Sequence, residues 1–257
     1  MKVVILCGGL GTRLREETEF KPKAMVEIGG RPILWHIMKH YAHYNYSEFV
    51  LCLGYKGNVI RDYFTNYEVR NRDVTITLGS HEIEVHNNHS ESNWRITLAE
   101  TGGETLTGGR LKRVGQYIDG PRFMVTYGDG ITDLNIQNLF AFHREKGKQA
   151  TVTAVRPSSR FGELSIQDGT VMSFREKPQI DGGWINGGFF VFEREVLDQF
   201  GGDDESLEQG LLARLTKSQQ LAVYQHHGFW QCMDTHREMM LLNEYWEKNE
   251  APWAGWR

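Results

Sequence analysis

Continuous apolar runs alternate with helical stripes along much of the chain. Val3 to Cys7 reads VVILC, a short run rich in β-branched residues and bounded by glycine, as expected of a strand buried on both faces. Phe49 to Leu53, Phe123 to Thr126 and Thr151 to Val155 have the same character. Between them lie helix periods. In RPILWHIMKHYAHY, Ile33, Leu34, Ile37, Met38 and Tyr41 share one face and Pro32 suits the start. GNVIRDYF and NIQNLFAFHREKG predict two further helices, the second ending at Gly147. Strands alternating with helices predict an α/β fold, a Rossmann-like, doubly wound mixed sheet flanked by helices.

The period changes between Val69 and Val114. DVTITLG, HEIEVHN and NWRITLAE alternate apolar and polar positions, which predicts a β-rich excursion exposed on one face. After Arg156 the pattern is again β-rich in GELSI, GTVMSFREKP and GGFFVFE, and Glu205 to Thr216 and His236 to Lys248 read as helices. There is no internal repeat, low-complexity tract or flexible linker. The expectation is one domain over 1–257, in two halves of about 1–150 and about 151–257.

Composition narrows the function classes. With 257 residues the chain can bury a full core. A net charge of −4, with acids and bases interspersed, argues against a nucleic-acid polymer or an anionic membrane as partner. The three cysteines, Cys7, Cys52 and Cys232, show no paired spacing and read as reduced thiols. The opening apolar run is too short for a secretory leader, and no run is long enough to span a bilayer, so a cytoplasmic protein is expected.

Candidate chemistry begins at the first strand's end. Gly8, Gly9 and Gly11 form a turn that can bring backbone N–H groups against anionic oxygens. It is not a dinucleotide fingerprint, because Leu14 stands where the third glycine would be, and no Gly-Lys-Ser/Thr closes a P-loop. Taken alone it is equally a plain strand-to-helix turn. Arg13 and Lys23 add a planar fork and a point charge, and Pro22 stiffens the backbone before Lys23. Such clamps suit a phosphoryl transition state.

The run from Gly8 to Leu14 with Lys21-Pro22-Lys23-Ala24-Met25 resembles the signature of the sugar-nucleotide pyrophosphorylases, the nucleotidyltransferases that join a nucleoside triphosphate to a sugar 1-phosphate. VTYGDGITD, SFREKP and WINGGFFVF match the same family in order, over nearly the whole chain. MVEIGGRPILWHIMKHY, TGGRLKRV and GFWQCMDT are similar to the bacterial glucose-1-phosphate cytidylyltransferases in particular.

The resemblance implies CTP and glucose 1-phosphate as substrates, CDP-glucose and pyrophosphate as products, Mg²⁺ as cofactor, a role supplying dideoxysugar and O-antigen synthesis, and a homo-oligomer, hexamer or tetramer. It implies that Leu6, Cys7, Gly8, Gly9, Leu10, Gly11, Thr12 and Gly128 hold the nucleotide. Arg13 would clamp the departing pyrophosphate, and Lys23 would neutralise the α-phosphate. Glu176, Lys177, Asn186 and Gly187 would bind the sugar phosphate, with Lys177 also catalytic. Asp129 and Asp234 would hold the metal, with Asp133 the alternative ligand; a plain turn aspartate at 129 and a helix-start residue at 234 are the bland readings.

Cytosine offers an amino donor, which Glu104 could accept with Gly109 beside the base; Arg110 could meet phosphate or be structural. A UTP- or dTTP-dependent enzyme and a silent sugar-nucleotide binding module remain alternatives. His81, His86 and His89 fit a solvated hairpin better than zinc, and His226 with His227 fits a surface strand. The tryptophan-rich EYWEKNEAPWAGWR fits a segment packed on the core or on another subunit.

Overall fold

A computed structural model describes residues 1–9, 11, 14–87, 89–157, 163–167, 170–175 and 183–257. The chain opens with β1 (Val3–Leu6), α1 (Arg15–Thr18), β2 (Glu27–Ile28), β3 (Arg31–Pro32) and α2 (Ile33–His43). It continues through β4 (Glu48–Leu53), α3 (Gly57–Thr65), α4 (Tyr67–Asn71), β5 (Val74–Thr77), β6 (Glu82–Val85), β7 (Arg95–Glu100) and α5 (Thr107–Val114). Then come β8 (Arg122–Tyr127), β9 (Gly130–Thr132), α6 (Ile136–Lys146), β10 (Ala150–Val155), β11 (Glu163–Gln167) and β12 (Thr170–Arg175). The last elements are β13 (Ile185–Glu193), α7 (Ala213–Lys217), β14 (Leu221–Gln225), β15 (Trp230–Cys232) and α8 (His236–Glu247).

Seven strands form the central sheet in the order β14-β10-β13-β8-β1-β4-β7. β1 pairs in parallel with both β4 and β8, and β13 runs antiparallel to β8 and β10. Alternation along β1 explains its continuous apolar run. Val3, Ile5 and Cys7 enter one core while Val4 and Leu6 enter the other, so every side chain of the strand is buried. Each such aliphatic contributes about 1.5–3 kcal/mol by leaving water.

The helices cover both faces. α2 buries Ile33, Leu34, Ile37, Met38 and Tyr41, the predicted stripe, and adds His36 and His40. α6 is capped by the Asn135 side chain, which accepts from the Asn138 N–H at 3.0 Å, and stops at Gly147 with φ 58°. The tryptophan-rich tail packs on this same body: Trp253 is buried and stacks on Trp246, whose ring meets His36 edge-on.

The excursion is smaller than its sequence period suggests. Among its described residues only β5 and β6 form a separate ribbon, pairing Val74 with Val85 and Ile76 with Ile83. β7 returns to the central sheet as its edge, and residues 107–114 are helical, because Leu111 and Val114 have a core to enter. The helix expected from Glu205 is a single π turn, Glu208–Leu212, running into the short α7. The histidines of the ribbon region serve local structure: His86 meets the Thr75 hydroxyl at 2.8 Å, and His89 meets Glu68 at 2.6 Å. Among the described residues no helix is long and apolar enough to cross a membrane.

Candidate active site

The parallel strands β1 and β8 end side by side, and their C-terminal ends floor a cleft of about 470 Å³. Open α/β sheets place ligands at such edges. The cleft brings together Leu6, Cys7, Gly8, Gly9, Gly11, Lys23, Gly128, Asp129 and Asp234, all singled out above. A second cavity of about 300 Å³ contains Asn186 and Gly187, from the start of β13, with Trp230 and Cys232 opposite. Tyr127 and Asp129 line both cavities, so groups held in the two spaces would meet at Asp129. Leu10, Thr12, Arg13, Glu176 and Lys177 lie outside the described residues.

The antiparallel pairing of β9 with β15 builds the acidic centre. Cys232 sits opposite Gly130, and the Met233 N–H donates to the Asp129 carbonyl at 2.9 Å. That clip sets Asp234 beside Asp129 although they are far apart in the chain. The backbone of Asp234 is held at the start of α8, where Thr235 is the N-cap and the Glu238 carboxylate accepts the N–H groups of both 234 and 235. Lys23 lies between the two acids, its Nζ 2.7 Å from Asp129 Oδ2 and bonded to Asp234 Oδ1. Burial alone would lower the Lys23 ammonium, but the Asp129 charge and the bonds to both carboxylates hold it above its ordinary range.

Asp129, Cys232 and Asp234 present ligand atoms within 4.8 Å of one another. Burial and then the Asp129 charge push the Cys232 thiol up, and its soft sulfur suits a hard divalent cation less well than the carboxylate oxygens do. The two carboxylates already hold one cation between them. Two hard oxygen donors, leaving further positions to substrate oxygens and water, fit a divalent cation. Asp133, the alternative ligand, turns elsewhere: its carboxylate lies 2.9 Å from His226. His226 is accordingly not a plain surface histidine.

The opposite wall comes from the start of α5. Arg110 is buried, and its guanidinium donates to Leu53 O at 3.0 Å, Thr101 Oγ1 at 2.7 Å, Gly8 O at 3.2 Å and Gly103 O at 3.4 Å. One planar fork therefore ties the loops after β1, β4 and β7 together. A Cβ on Gly8 would collide with that guanidinium, which gives this glycine a packing reason beyond anion binding. All four oxygens are neutral, so the guanidinium charge still acts on the cleft it lines. Of the two readings of Arg110, the structural one matches these contacts.

Two expected base contacts are placed differently. Glu104 is exposed in the turn before α5 and is not among the cleft residues. Gly109 faces away, because a Cβ there would lie 2.6 Å from Asp203 Cα. The wall is made by Thr105, Leu106, Thr107 and Arg110 instead. The residues missed by sequence reasoning are these threonines, Tyr127 and Trp230. The motifs TLTGGR, VTYGDG and GFWQC contained all of them, but the rotation of each element was not readable. Trp230 borders the second cavity and donates its Nε1–H to Gly187 O at 2.7 Å.

A family model, Nucleotidyl transferase, matches residues 2–247. The chain belongs to the nucleotidyl transferase family. Within it, glucose-1-phosphate cytidylyltransferase of Salmonella typhi is 51% identical over 257 residues, covering 100% of both chains. A probable glucose-1-phosphate cytidylyltransferase of Bacillus subtilis is 43% identical, again over 100% of both. Among solved structures, HddC from Yersinia pseudotuberculosis superposes with a TM-score of 0.69 at 23% identity, covering 95% of this chain and 99% of that one, so the two share a fold. The paired cavities and acidic centre are thus features of a nucleotidyl transferase.

Proposed function

We propose that the protein is a glucose-1-phosphate cytidylyltransferase, converting CTP and α-D-glucose 1-phosphate to CDP-glucose and pyrophosphate. The observation that carries this reading is the meeting of the two cavities at Asp129, with Lys23 and Asp234 beside it. The full-length identity to the Salmonella typhi enzyme supports the choice of substrates.

The larger cleft takes the nucleotide, its triphosphate along Gly8 to Gly11, and the smaller takes the hexose phosphate at Asn186 and Gly187. A phosphate oxygen of the sugar phosphate attacks the α-phosphorus in line as the bond to the β-phosphate oxygen breaks, and pyrophosphate leaves with that electron pair. Lys23 neutralises charge at the reacting phosphate, the kind of stabilisation that matters most in the transition state. Asp129 and Asp234 would hold Mg²⁺, which supplies charge neutralisation and orientation when bound. Arg13 facing pyrophosphate and Glu176 with Lys177 facing the sugar phosphate are carried by the family motifs. Selection of cytosine shifts from Glu104 to the wall of Thr105–Thr107 and the backbone at Gly8.

Product analysis tests the reading. With glucose 1-phosphate and each of CTP, UTP, dTTP and ATP, the expected outcome is pyrophosphate release with CDP-glucose as the preferred product. Equal or better turnover with another nucleotide would replace the CTP assignment. Absence of pyrophosphate release with all four would favour a binding module.

A further inference from the structure

Glu208 belongs neither to the acidic centre nor to the glycine turn and lines neither cavity, yet it is bonded to Tyr127, which lines both. It is the first residue of the π turn Glu208–Leu212, a geometry often found at functional sites. Its carboxylate takes two hydroxyl donors from different elements. Tyr127 donates to Oε1, and Thr107 donates to Oε2 at 3.0 Å. Thr107 lines the nucleotide cleft and also accepts the Leu207 N–H at 2.8 Å. Tyr127 lines both cavities.

The direction of each bond follows from donor chemistry. An ionised carboxylate only accepts, so the Tyr127 hydroxyl proton points at Glu208. The tyrosine lone pairs are then left for Asn186, whose Nδ2 donates to Tyr127 Oη at 3.3 Å. At its other end the Asn186 Oδ1 accepts the Gly188 N–H at 2.9 Å. Both ends of the amide agree on one orientation, leaving its second Nδ2 hydrogen as a donor for the acceptor cavity. The tyrosine ring is pinned as well: Gly188 has φ 81°, and a Cβ there would lie 2.5 Å from Tyr127 Cδ2. Glu208 itself is exposed, a position where a hydrogen-bonded carboxylate adds little to stability, so folding does not account for the arrangement.

We propose that Glu208 is a positioning residue of the transfer reaction, a carboxylate clasp that fixes Tyr127 and, through it, Asn186 as a donor to a hydroxyl of the incoming phosphorylated acceptor. Through Thr107 the same clasp anchors the acceptor side to the nucleotide wall. This rests on the reading of the smaller cavity as the acceptor site.

The test is a double-mutant cycle between Glu208→Ala and Tyr127→Phe, with Glu208→Gln as the conservative variant. It is run with the nucleotide and sugar phosphate that the unmodified protein uses best, so failure of the CTP and glucose assignment does not remove the test. Each single variant is expected to raise KM for the sugar phosphate about tenfold, the size of one lost hydrogen bond to a charged group, with KM for the nucleotide moving less than about threefold. Glu208→Gln should fall between, since its amide oxygen can still accept one donor. The double variant should be no worse than the poorer single, and Tm should stay within about 3 °C. An unchanged sugar-phosphate KM, multiplicative losses, or a large Tm drop that explains the kinetics would overturn the clasp.

Discussion

Replacing Lys23 by alanine should have opposite effects on two quantities. Its Nζ sits between Asp129 and Asp234, whose side chains are 30% and 26% exposed, while its own is 13% exposed. Without it, two carboxylates with oxygens within 4.8 Å face each other uncompensated. At an effective dielectric near 20, two unit charges at that separation repel by about 3.5 kcal/mol. Partial exposure and salt reduce this to about 2 kcal/mol. That penalty disappears when a dication binds between the acids, so Lys23→Ala protein without nucleotide should bind Mg²⁺ or Mn²⁺ roughly thirtyfold more tightly than the parent. Turnover should move the other way. Loss of a preorganised charge at the reacting phosphate costs about 2–4 kcal/mol in kcat, with a smaller change in nucleotide KM. The metal half is read by thermal shift against MnCl₂ and by Mn²⁺ titration, the catalytic half by pyrophosphate release. A variant that folds normally but binds the dication no more tightly would refute the competition between lysine and metal. A normal kcat would refute the role at phosphate.

Three further outcomes follow from named contacts. Arg110→Lys cannot reproduce a four-acceptor fork and leaves buried carbonyls unpaired, so unfolding should be easier by about 3 kcal/mol and Tm lower by about 6–12 °C, read by calorimetry. Glu104→Gln should leave the ratio of CTP to UTP in kcat/KM within about twofold, since an exposed residue outside the cleft cannot discriminate bases; a large change would return base recognition to that side chain. His36 and His40 are held neutral by burial, each with its pKa lowered to about 4. The unfolded chain therefore binds protons that the folded chain refuses, so stability should fall as pH drops from 6.5 toward 4, by up to ~3 kcal/mol per histidine. A urea midpoint that stays constant between pH 7 and 5 would contradict this.

The fold was legible where one physical signal dominated. The run VVILC could only be a doubly covered strand, and the stripe from Ile33 to Tyr41 could only be a helix against a core, and both are found. The glycine turn, Lys23 and Asp129 stand out in the sequence because backbone access and charge are properties of residue type, and the structure places them around one cleft. What escaped depends on rotation and distant pairing. In the stretch from Glu104 to Arg110, the helix turns Gly108 and Gly109 toward residues 202–205 and leaves Thr105 to Thr107 on the cleft, a choice made by tertiary packing. Glu208, in a polar stretch with other acids, carries no local signal at all; its partners lie 81 and 101 residues away.

The clip between β9 and β15 has a consequence for how the protein is born. Lys23 and Asp234 are separated by 211 positions, so the ribosome will have released the entire glycine turn long before the second acid exists. The acidic centre is therefore completed only when the last stretch of the chain has been made. A chain ending before Asp234 would lack the second acid and also Leu242 and Trp253, which are buried in the same core as β1, so charge balance and core are completed together.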